Sequence, residues 1–195
     1  MALDIVINLF IFFYTFYAVV SYFRSERHWD KANGLKALRF FTNLSNLFCA
    51  VAALLVVLTN TAQGLAYWAW ILKYIGTAAV IVTFLTVLFF LGPAIGYKEL
   101  LSGKGFYLHL CGPLLALLSF CFLERAYELS FSLSLIGCLP VILYGFVYLY
   151  EVVIWENWED FYGYNKDGKW PISMAAMFIG GFLVCILIGL LYNLG

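Results

Sequence analysis

Six stretches of this chain are each long and apolar enough to cross a bilayer, which restricts the fold sharply. In hydrocarbon, backbone N–H and C=O groups are satisfied only within helices or closed barrels. Roughly 20 residues rising about 1.5 Å each cover the hydrocarbon core as a helix. The stretches run from Leu3 to Phe23, Phe40 to Thr59, Trp70 to Leu91, Gly105 to Leu123, Phe131 to Ile154 and Pro171 to Tyr192. With 65% of residues hydrophobic, 20% aromatic and 11% charged, the composition is that of an integral membrane protein. The expected fold is all-α, a single six-transmembrane-helix bundle over residues 1–195. Short connections leave no room for a soluble domain, and no internal repeat of three helices is evident.

The first span resembles a signal peptide only superficially. It opens Met1-Ala2-Leu3-Asp4 without a basic leader and runs too long for an h-region, so a retained helix is expected. Its basic flank follows it: Arg24, Arg27, Lys31, Lys36 and Arg39 lie in the first connection. Lys98 and Lys104 lie in the third and Lys166 and Lys169 in the fifth, against only Lys73 and Arg125 at the opposite side. The positive-inside rule then places both termini on the non-cytoplasmic side. The basic first connection, with His28 in it, reads as an orientation signal facing anionic headgroups, so no nucleic-acid partner is implied. Tyr67, Trp68 and Trp70 at one interface and Trp155, Trp158, Tyr162 and Tyr164 at the other read as aromatic belts. Five cysteines, an odd number without CxxC spacing, all fall within spans and read as small apolar residues.

Polar residues inside spans carry the functional signal, because lipid offers them no partner. Span two begins Arg39-Phe40-Phe41-Thr42-Asn43-Leu44-Ser45-Asn46-Leu47, and Thr42, Ser45, Asn46 and Cys49 fall on one helical face. Alone, such residues read as backbone-bonded threonine and helix-joining asparagine. Span four enters from the same side and holds the one intramembrane histidine, His109, with Gly112, Pro113 and Ala116 along its face. Pro113 deprives the His109 carbonyl of its usual donor, which predicts a kink. Span five places Tyr144, Tyr148, Glu151 and Trp155 on one face; Tyr14, Tyr17, Ser21, Thr83 and Thr86 come from spans one and three. This convergence predicts a cavity at the cytoplasmic half, polar at its mouth and apolar at depth, a shape suited to an amphiphile.

A threonine hydroxyl becomes a nucleophile when a histidine takes its proton, so Thr42 and His109 form one candidate catalytic pair. Asn43, Ser45, Asn46, Tyr144, Tyr148 and Glu151 are candidate oxyanion-stabilising or substrate-binding groups. No cofactor is needed, and a single intramembrane histidine argues against a metal site. The competing reading is a non-catalytic carrier or sensor of a lipid or small amphiphile, with His109 and Glu151 as proton-coupled groups.

The segments Phe40-Phe41-Thr42-Asn43-Leu44-Ser45-Asn46-Leu47, His109-Leu110-Cys111-Gly112-Pro113 and Trp158-Glu159-Asp160-Phe161-Tyr162-Gly163-Tyr164-Asn165 resemble bacterial six-span relatives of the androgen-induced-gene and androgen-dependent TFPI-regulating protein family. Eukaryotic members are membrane threonine hydrolases of fatty acid esters of hydroxy fatty acids. The resemblance implies Thr42 as nucleophile, His109 as general base, a lipid-like ester as substrate and a location in a bacterial cytoplasmic membrane. The eukaryotic histidine is differently spaced and the Ser-Asn pair is absent there.

Overall fold

The computed structural model describes residues 2–24 and 28–194; Arg27, counted above in the basic first connection, lies outside them. Six helices have the length and apolarity to span a membrane: Ala2–Phe23, Phe41–Thr59, Tyr67–Ile95, Lys104–Phe122, Phe131–Ile154 and Trp170–Leu194. They are called spans one to six. Span three packs against spans two, four, five and six, and span one lies across spans two and four. Spans two and three approach closely because Gly76 has no side chain: a Cβ there would stand 2.8 Å from the Cys49 Cα.

Local chemistry sets the helix ends at the basic side. Asp30 caps a short helix, Lys31–Ala37, by accepting from the Asn33 N–H at 2.9 Å. Phe40 is extended (φ −80°, ψ 131°), so the chain breaks there before span two starts. Span three ends at Gly96, whose φ of 113° favours glycine.

Spans three, four and five each carry a π-helical turn toward this side, at Val87–Leu91, Tyr107–Cys111 and Tyr150–Ile154. The first two precede Gly-Pro pairs. In span four the Gly112 N–H reaches back to the Tyr107 carbonyl, and Pro113 has no N–H, so the Leu108 carbonyl receives neither donor. In span three Gly92 bonds Val87 and Pro93 follows, which strands the Leu88 carbonyl in the same way. The Tyr97 hydroxyl fills that vacancy at 2.7 Å, and Asn46 fills the one in span four at 3.0 Å.

Candidate functional site

A cavity of about 650 Å³ lies between spans three, five and six, with the start of span two and the last connection closing its basic end. Thr42, Thr86, Tyr162 and Ser173 give that end hydroxyls, whereas Val82, Val141, Gly181, Val184 and Leu187 line the depth. Phe90, Ile172 and Leu183 line it and are also exposed on the outer face of the bundle, so the cavity opens sideways toward lipid. From Ile172 to Leu187 the lining follows span six for about 22 Å, at 1.5 Å per residue.

The aromatic connection forms the floor of this chamber. Asp160 organises it by accepting from the backbone N–H groups of Tyr164 and Asn165, each at 2.8 Å, and from the Tyr148 hydroxyl at 3.1 Å. Tyr162 accepts from the Phe41 N–H at 3.1 Å, satisfying an orphan donor at the start of span two. Burial pushes its phenol up to about 12, with the hydrogen bond from Phe41 acting the other way. Burial also raises Tyr164. Both phenols are therefore neutral hydrogen-bonding groups near neutral pH. Among the expected belt residues, Tyr67, Trp68 and Trp155 are exposed, but Tyr164 and Trp70 are buried.

Of the candidate site residues, Thr42, Tyr144 and Tyr148 line the cavity. The two tyrosines are also held structurally, Tyr144 donating to the Arg39 carbonyl at 2.7 Å and Tyr148 to Asp160. Asn43 donates to the Ala37 carbonyl at 2.7 Å, which closes the end of the Lys31–Ala37 helix. Ser45 meets Thr83 at 2.9 Å, joining spans two and three. Asn46 spans the gap to Leu108 and also donates to the Thr42 carbonyl at 2.8 Å. Glu151 accepts from the Asn157 side chain at 3.1 Å in an exposed loop contact. Tyr17 is exposed, while Ser21 accepts from Lys104 at 2.7 Å.

His109 does not line the cavity. Its Nδ1 lies 2.7 Å from the Leu100 carbonyl, on the connection between spans three and four. No hydrogen bond joins it to Thr42 or Glu151 among the described residues. The Asn46–Leu108 bond does link the two sequence segments, but as a repair of backbone geometry before Pro113. His28 is exposed, and all five cysteines are free. Among the described residues no three His, Cys, Asp or Glu side chains converge to hold a metal ion.

A search of family models, curated proteins and solved structures finds no match. The likeness to the androgen-induced-gene family thus rests on the short motifs alone, one of which, Asn46 with Pro113, has a structural reason to be paired.

At the far end of the bundle lies a polar core. Lys73, one of two basic residues on the sparsely basic side, is fully buried inside span three. Its Nζ lies 3.3 Å from the Glu124 Oε1 and donates to the Asn8 Oδ1. Asn8 in turn donates to Asp4 at 2.8 Å and to Glu124 at 2.9 Å, Ser119 donates to Glu124, and Asn60 donates to Asp4 at 3.3 Å. The Trp70 indole seals the group by donating to the Glu124 carbonyl at 2.9 Å. A lysine two turns inside an apolar run was the available signal, since such a charge needs a partner. Asp4 and Glu124, near span ends, were its candidates.

Proposed function

We propose that this protein binds a lipid-like amphiphile in the cavity between spans three, five and six, as a carrier or sensor. The observation that supports this is the shape of the chamber: hydroxyls at its basic end, hydrocarbon along its depth and a sideways opening among exposed Phe90, Ile172 and Leu183. With the basic connections on the cytoplasmic side and both termini opposite, the polar end sits at the inner leaflet of what the motif resemblance suggests is a bacterial cytoplasmic membrane. The partner is then a membrane lipid or an amphiphile dissolved in it.

Gly180 supplies the test. It lines the cavity, and a Cβ there meets no heavy atom within 4 Å. Gly180→Phe fills the chamber without a backbone clash, so co-purified or added lipid detected by native mass spectrometry is lost, while Ile179→Phe on the exposed face retains it. Equal lipid occupancy in both variants overturns the proposal.

The position of Thr42 on the cavity wall favours a second reading, hydrolysis of lipid-like esters with Thr42 as nucleophile and His109 as base. It requires His109 to leave the Leu100 carbonyl and reach the cavity. Turnover of long-chain esters by the wild type that both Thr42→Ala and His109→Ala abolish, with folding intact, would establish it; bound ester recovered uncleaved favours the carrier.

A further inference from the structure

The chemistry of the cavity's polar end narrows its occupant; this step rests on the amphiphile-binding reading above. Every polar side chain that lines the chamber is a hydroxyl of threonine, serine or tyrosine, and no Lys, Arg, His, Asp or Glu is among them. Three charged groups of the neighbouring segments, Arg39, Asp160 and Glu151, are engaged elsewhere. The Arg39 guanidinium lies over the Trp158 ring, 5.6 Å from its centroid. Asp160 is filled by Tyr148 and two backbone N–H groups, and Glu151 takes Asn157. A charged head entering this chamber would lose water and gain no counter-ion, which is costly in a low-dielectric site.

Tyr164 lines the chamber, but its hydroxyl is buried away from it. Thr86 and Ser173 line the same chamber and add hydroxyls that both donate and accept.

We infer that the occupant is a single-chain amphiphile with an uncharged, hydrogen-bonding head, such as a fatty alcohol or a monoacylglycerol, whose head meets the hydroxyl-lined end of the chamber and whose chain follows span six. The selectivity arises because the site offers hydrogen bonds without charge.

The test uses the full chain in nanodiscs and four probes carrying the same hexadecyl or palmitoyl chain: hexadecanol, monopalmitoylglycerol, hexadecyl sulfate and hexadecyltrimethylammonium. Binding of each is measured by native mass spectrometry and by displacement of radiolabelled hexadecanol. The two neutral probes are expected to bind at least tenfold more tightly than the two with fixed charges. Equal or tighter binding of a charged probe overturns the inference and leaves amphiphile binding standing. Binding of none of the four removes both.

Discussion

Replacing Lys73 by methionine separates two effects that a membrane lysine usually confounds. As an isolated helix, span three with methionine inserts more readily, because a lysine at a helix centre costs about 2.5–3.5 kcal/mol on insertion scales. The folded bundle responds in the opposite direction. Lys73 and Glu124 are both 0% exposed at the side chain and 3.3 Å apart, and Glu124 keeps donors from Ser119 and Asn8 but loses its only cation. Asp4, bonded to the same Asn8, adds a second carboxylate to the site. Deleting one member of a buried pair typically costs about 3–5 kcal/mol, a large share of the roughly 5–15 kcal/mol that holds a domain together. The double replacement Lys73→Met with Glu124→Gln removes the stranded charge while leaving an amide to accept from Ser119 and Asn8, so it should recover most of that loss. The assay is reversible unfolding in mixed micelles followed by tryptophan fluorescence, which Trp70 reports directly because its indole is bonded to the Glu124 carbonyl. A double-mutant cycle from the four proteins gives the coupling. A single Lys73→Met loss under about 1 kcal/mol, well below the buried-pair range, or a double variant as damaged as the sum of its singles, would refute the reasoning.

Two further outcomes test the basic end. Asn46→Leu strands the Leu108 carbonyl and should cost about 1–3 kcal/mol, the penalty of a buried unsatisfied group; Pro113→Ala, which returns an N–H to the helix, should rescue part of it in thermal melts, and additive effects of the two changes would argue against the link. Tyr162 sets a pH dependence: because its folded value stands near 12 against an ordinary 10.0, the folded state holds its proton longer than the unfolded one. Its contribution is full below about pH 10 and is lost as pH rises toward 12, so Tyr162→Phe should flatten the alkaline fall in melting temperature over that window, and an unchanged slope would count against it.

Much of the site's outline was legible in the chain, and its wiring was not. Six apolar runs matched six spans to within a few residues because length and hydropathy are set locally, by the thickness that a helix must cross. The gathering of Thr42, Thr86, Tyr144 and Tyr148 at one depth was also readable, since depth follows from counting residues from the interface. Depth does not give direction around the bundle. Residue counting places His109 near the level of Thr42, yet its ring turns to the Leu100 carbonyl, and Ser45, one turn from Thr42, faces Thr83. The π-helical turn before Pro113 shifted the orphan carbonyl to Leu108, a change of register that a proline rule based on ideal α-helix does not foresee.

By itself, then, the sequence determined the class, the number of crossings, the asymmetry of charge and the layer in which polar groups meet, all of which follow from transfer free energies summed along one chain. Which helices touch was decided only by packing. Span three's central place brings Lys73 to Asp4, Asn8 and Glu124, residues 51 or more positions apart from it in the chain, and makes its charge half of a buried pair. The same packing decides which helices wall the cavity, spans three, five and six, because depth along one chain does not give position around the bundle.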